Sequence, residues 1–90
     1  MYHWFRGKRW SVKDSYNLPS SLLGLCDYEK STIQAPIYDG SEKGLDTVIH
    51  ECTHACFPDL NEEAVNESST NIARLLIKLG WELNQKKGRK

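Results

Sequence analysis

Residues 47–63 read T-V-I-H-E-C-T-H-A-C-F-P-D-L-N-E-E. This stretch holds the body of one helix, its stop and the start of another. At about 100° per residue, Cys52 and Cys56 share a sector with Leu45, Val48, Ile49 and Ala55, while His50 and His54 lie about 40° apart on the far side. That is an amphipathic helix from about residue 45 to 56. Pro58 disfavours helical backbone at Phe57 and stops it. Asn61 or Asp59 then caps a second helix with acids in its first turn. That helix runs to about Leu79, with Gly80 as its C-terminal stop.

Upstream of the helices the chain reads as strands. W-F-R-G-K-R-W-S-V (4–12) sets bulky residues on either side of Gly7, as a hairpin does. N-L-P-S-S (17–21) is a turn cluster. S-T-I-Q-A-P-I-Y-D (31–39) alternates Ile33, Ala35 and Ile37 with polar positions. Pro36 cannot donate to a ladder, which predicts an edge strand over 31–39. D-G-S-E-K-G is a loop, with Ser41 a candidate N-cap. The expected fold class is α+β: a small antiparallel N-terminal sheet with its edge strand at about 31–39, then two antiparallel helices at about 45–56 and 61–79. Ninety residues make one small domain, 1–90, with 81–90 a partly frayed basic tail.

Composition excludes some functions. The net charge is zero, which gives no global case for nucleic-acid or membrane binding. No apolar run is long enough to span a bilayer. M-Y-H-W-F-R-G-K-R-W has no signal-peptide core, so a cytoplasmic location is expected. The three cysteines are then reduced thiols, and their odd number argues against a closed disulfide framework. Acids dominate 41–70 and bases dominate from Asn71 onward. The basic end reads most simply as a solvated tail.

The chemistry lies in H-E-C-T-H. Both imidazoles can reach one metal ion, and Glu51 projects about 80° from their midpoint. A carboxylate there can reach a metal-bound water without ligating the ion. In a chain of this length the pattern arises by chance well under about one time in a hundred. A structural Cys2His2 site is disfavoured, because helical phase points the cysteines away from the histidines and into the core.

Catalytic Zn²⁺ needs a third protein ligand and an open fourth position. His3 is the only other histidine, so the candidates are Asp59, Glu62, Glu63 and Glu67. A short F-P-D-L connection centred near residue 59 makes the helices an antiparallel pair. The position mirroring residue 52 is then near 66, which favours Glu67. Asn71, one turn further on, can hydrogen-bond a ligand. The alternative for Glu67 is a solvated acidic face, since it lies away from an apolar centre of Val65, Ile72, Leu75, Leu76 and Leu79.

These residues resemble the zincin metallopeptidases. V-N-E-S-S-T-N-I-A (65–73) looks like the second-helix motif of the gluzincin branch, in which a glutamate is the third ligand and an acid or amide one turn later supports a histidine. Asn71 departs from the aspartate of the thermolysin-like pattern. The stretch from Gly44 to Val65 also resembles short H-E-x-x-H proteins of phages and bacteria, with L-C-D at 25–27 a weaker echo. The resemblance implies an extended substrate laid along an edge strand, here 31–39, by β-augmentation. It also implies a Tyr or His that stabilises the oxyanion. Tyr38 and His3 are the candidates, with an ordinary structural role the alternative for Tyr38.

The function expected from the sequence is a zinc-dependent metallopeptidase acting on a protein or peptide. His50, His54 and Glu67 hold Zn²⁺, and Glu51 is the general base. One rival is a non-catalytic, zinc-stabilised protein-binding module, against which the presence of Glu51 argues. Another is nucleic-acid association through H-W-F-R-G-K-R-W and K-K-G-R-K, where aromatic and basic residues interleave.

Overall fold

Arg6 and Gly7 take φ of 53° and 79°. Positive φ at both positions gives a two-residue turn whose twist matches the strands it joins. The computed structural model describes residues 1–83. The turn links β1 (Tyr2–Phe5) to β2 (Lys8–Asp14) as an antiparallel hairpin, with Trp4 opposite Arg9. Two short strands follow, β3 (Leu25–Asp27) and β4 (Thr32–Ala35), then α1 (Glu42–Cys56) and α2 (Glu62–Lys78). The fold is α+β, a four-stranded sheet followed by two helices.

The strand order is β1-β2-β4-β3, and β4 runs parallel to β2. The sheet is therefore mixed rather than purely antiparallel, and the edge strand expected at 31–39 is an interior one. Ile33 and Ala35 are fully buried on β4. Pro36 falls just beyond the last ladder residue, so its missing N–H interrupts nothing. The edges are β1, which pairs only with β2, and β3, which pairs only with β4.

Ser41 caps α1, its hydroxyl accepting from the Gly44 N–H at 3.0 Å, and Asp39 in turn accepts from the Ser41 N–H. Hydrogen bonds from the Ser41 side chain and the Ser41 backbone N–H hold the Asp39 carboxyl below its ordinary pKa. Asn61 caps α2 by accepting from the Ala64 N–H at 2.7 Å. Gly80 ends α2 with a φ of 96°. The Trp81 N–H then donates to the Leu76 carbonyl, and Trp81 and Leu83 border a small apolar cavity with Leu45 and Val48. Residues 81–83 are thus docked rather than frayed, while the rest of the expected tail lies outside the described residues.

The core lies between sheet and α1. Trp10, Ile33 and Ala55 are buried together, with Phe5, Cys26 and Cys52 against them. Each large apolar side chain so placed contributes roughly 1.5–3 kcal/mol. Cys52 belongs to this core, as its helical phase requires. α2 packs on α1 and not on the sheet. It does so through Val65, Ser69 and Ala73, while Ile72, Leu75 and Leu79 are exposed. The pairs His54–Glu62, Asp46–Ser69 and Glu42–Arg74 show the two helices running antiparallel, mirrored about residue 58.

Candidate metal centre

His50 and His54 are one turn apart on α1, with Nε2 atoms 3.2 Å from each other. Glu62 opens α2 and meets both. Its Oε2 is 3.1 Å from Nε2 of His50, and its Oε1 is 2.9 Å from Nε2 of His54. Nitrogen ligands about 2.0 Å from a tetrahedral zinc ion lie about 3.3 Å from one another. The two imidazole nitrogens are therefore spaced as neighbouring corners of such a site, and each meets a different oxygen of the Glu62 carboxylate. Two imidazoles and a carboxylate are also a donor set that zinc accepts. Among the described residues these three form the one group able to hold a metal ion.

Glu67 is not in this group. It is exposed and lies about 200° around α2 from buried Val65. The helix pair mirrors about residue 58 rather than 59, which moves the position facing the histidines away from Glu67 and towards the turn. Of the apolar centre expected on α2, Val65 is buried while Ile72, Leu75 and Leu79 are exposed. The small residues Val65, Ser69 and Ala73, spaced four apart, mark the true contact stripe, and Glu62, Asn66 and Thr70 flank it. Asn71 is also exposed, half a turn away from Glu62, and supports neither histidine.

Glu51 is only 8% exposed. No hydrogen bond among the described residues holds its carboxylate, which is unusual for a buried polar group. Burial pushes its pKa above the usual carboxylate range; His50 and His54 pull it down, and Glu62 pushes it up. Gly24 makes room for the side chain. A Cβ there would lie 3.0 Å from Cγ of Glu51, 2.9 Å from the Gln34 carbonyl oxygen and 2.9 Å from Cγ2 of Thr47. The role of Gly24 carries no motif and is legible only in three dimensions.

Two clefts meet at this point. One, of about 350 Å³, runs past Leu22, Leu23, Lys43, Asp46 and Thr70. The other, of about 480 Å³, runs past Leu25, Cys26, Tyr28 and Leu60. Gly24, His50, Glu51 and Glu62 line both. The edge strand β3 borders the second cleft through Leu25 and Cys26.

Tyr38 follows β4 in a turn and lines neither cleft. The tyrosine that does is Tyr28, whose hydroxyl donates to the His54 carbonyl at 2.9 Å. Burial, and after it Cys26, raises its pKa. The Cys26 and Cys52 thiols are pushed up to about 11, chiefly by burial. His3 is on β1, edge to face with Phe5, and also lies outside both clefts.

The chain matches no known family model, no curated protein and no solved structure. No helix among the described residues is long and apolar enough to cross a membrane.

Proposed function

We propose that this protein is a minimal zinc-dependent peptidase, with His50, His54 and Glu62 holding the ion and Glu51 as general base. The observation that carries the proposal is Glu51 itself, a buried carboxylate without a hydrogen-bond partner among the described residues, beside a His-His-Glu donor set. A metal centre that only stabilises a fold has no use for such a group, which disfavours the binding-module alternative. Zinc held there supplies Lewis acidity, lowering the pKa of a coordinated water towards neutrality and polarising a carbonyl.

The chain's own residues do the rest. Glu51, its proton affinity raised by burial, accepts the water proton and passes it to the leaving amine. Gly24 keeps its side chain in place by close packing. A peptide crossing the site has a cleft for the residues on each side of the cleaved bond, and β3 offers it the unpaired edge that an extended segment requires.

The test is cleavage of an unfolded protein substrate by the zinc-loaded chain, compared with Glu51→Gln and with chelated protein. The expected result is turnover that chelation abolishes and Glu51→Gln lowers by about 10²–10⁴ while zinc is retained. Zinc-loaded wild-type protein that cleaves no peptide or protein would exclude the proposal.

A further inference from the structure

The sheet has two faces, and α1 packs against only one. Trp10, Ile33 and Cys26 belong to the packed face. Side chains alternate along a strand, so Tyr2, Trp4, Arg9 and Lys13 share the other face, away from α1 and the metal centre. Tyr2 is 63% exposed and Trp4 62%. The Arg9 guanidinium lies 4.5 Å over the Tyr2 ring. Residues 1–13 carry Arg6, Lys8, Arg9 and Lys13 and no acid, within a chain whose net charge is zero. Positive charge and exposed rings are therefore concentrated on one hairpin.

We infer that this open face binds single-stranded nucleic acid, with Tyr2 and Trp4 stacking on bases and Arg9 and Lys13 meeting phosphates. The two exposed rings are two residues apart on one strand, about 6.6 Å, close enough to engage successive unpaired bases, and Arg9 over the Tyr2 ring sets a cation beside the first of them. A sheet that displays aromatic rings and cations is a general solution to binding unpaired bases.

Charge disfavours the other occupants. A second copy of the chain would bring its own Arg9 and Lys13 against Arg9 and Lys13. Residues 84–90, N-Q-K-K-G-R-K, add four more cations and no acid. An acidic peptide would answer the cations but leave both rings without stacking partners. A strand of unpaired nucleotides satisfies both features. This inference is independent of the peptidase proposal, because it rests on the opposite face of the sheet.

The test uses the full 90-residue chain and fluorescein-labelled dT and rU twelve-mers, read by fluorescence anisotropy at low salt. Binding is expected to weaken about tenfold in Trp4→Ala and in Tyr2→Ala. Arg9→Gln is expected to reduce the salt dependence of log K by roughly one phosphate contact. All three side chains are exposed, so thermal melts should be unchanged. Four results would overturn the inference: no binding of either oligonucleotide, ring variants that bind like wild type, tighter binding of a duplex than of its single strand, or competition by poly-glutamate as effective as by the oligonucleotide.

Discussion

Oε1 of Glu62 lies 2.9 Å from Nε2 of His54, across the single turn that separates the two helices. The same carboxylate reaches His50, so one residue closes the donor set. Removing it leaves two imidazoles, too few to hold a catalytic zinc. Glu62→Ala is expected to weaken zinc binding by more than about a hundredfold, beyond the usual loss of a supporting residue. Glu67→Ala should leave affinity unchanged. Competition against a chromophoric chelator measures both, and a large loss in the Glu67 variant would reassign the ligand.

Zinc should also act as a folding ligand. A ligand that binds only the native state at a hundred times its dissociation constant stabilises by about 2.7 kcal/mol. For a domain of this size that raises Tm by more than about 10 °C. Addition of a chelator should reverse the shift, and His50→Ala should not show it. Identical melts with and without zinc would mean that the cluster is only an ion pair.

The buried Glu51 carboxylate predicts a pH dependence in metal-free protein. Its folded pKa lies above its unfolded one. Below the unfolded value both states hold the proton, and burial imposes no charge penalty. As pH rises the unfolded chain ionises freely while the folded carboxyl resists, so stability falls until pH passes the folded value. Glu51→Gln removes that loss. With chelator present its Tm should exceed that of wild type at pH 7, and the gap should close towards pH 4. A variant less stable than wild type at neutral pH would contradict this.

The sequence made the two helices and the first half of the site plain, because periodicity and capping are local. Helical phase alone separates His50 and His54 from Cys52, and Asn61, Pro58 and Gly80 mark their boundaries by chemistry that needs no partner. Non-local pairing was harder. The third member of the His-His-Glu group depends on how two helices cross, and a mirror point one residue too far along favours Glu67 over Glu62. Likewise Pro36 suggests an edge strand, although it stands one residue past β4, and the edge beside β4 is a three-residue strand that has little periodicity to read.

Gly24 tests whether the base depends on close packing. An added methyl would sit 2.9 Å from the Gln34 carbonyl oxygen, which is backbone and cannot rotate away. Gly24→Ala should destabilise by about 1–3 kcal/mol, as overpacking does. It should also lower turnover by displacing Glu51, while leaving zinc affinity near wild type. Urea denaturation and chelator competition on the same preparation separate the two effects.

The last relationship fixes the level of α2. The Asp46 carboxylate accepts from the Ser69 and Thr70 hydroxyls, each at 2.8 Å. Ser69 is fully buried, so this clamp sits inside the helix contact. It is two α1 turns from His54 and holds α2 in the phase that brings Glu62 rather than Glu67 to the histidines. Hydrogen bonds to a charged group contribute about 1.5–3 kcal/mol each. Asp46→Ala should therefore cost at least that much stability and weaken zinc binding by about tenfold, although the hydrogen bonds of Asp46 go to Ser69 and Thr70 and not to a histidine. The exposed Glu42–Arg74 pair, 3.9 Å apart on the next turn, provides the control. Arg74→Ala should cost under about 1 kcal/mol and leave zinc affinity unchanged. Equal effects of the two substitutions would mean that helix register is set by the apolar stripe alone.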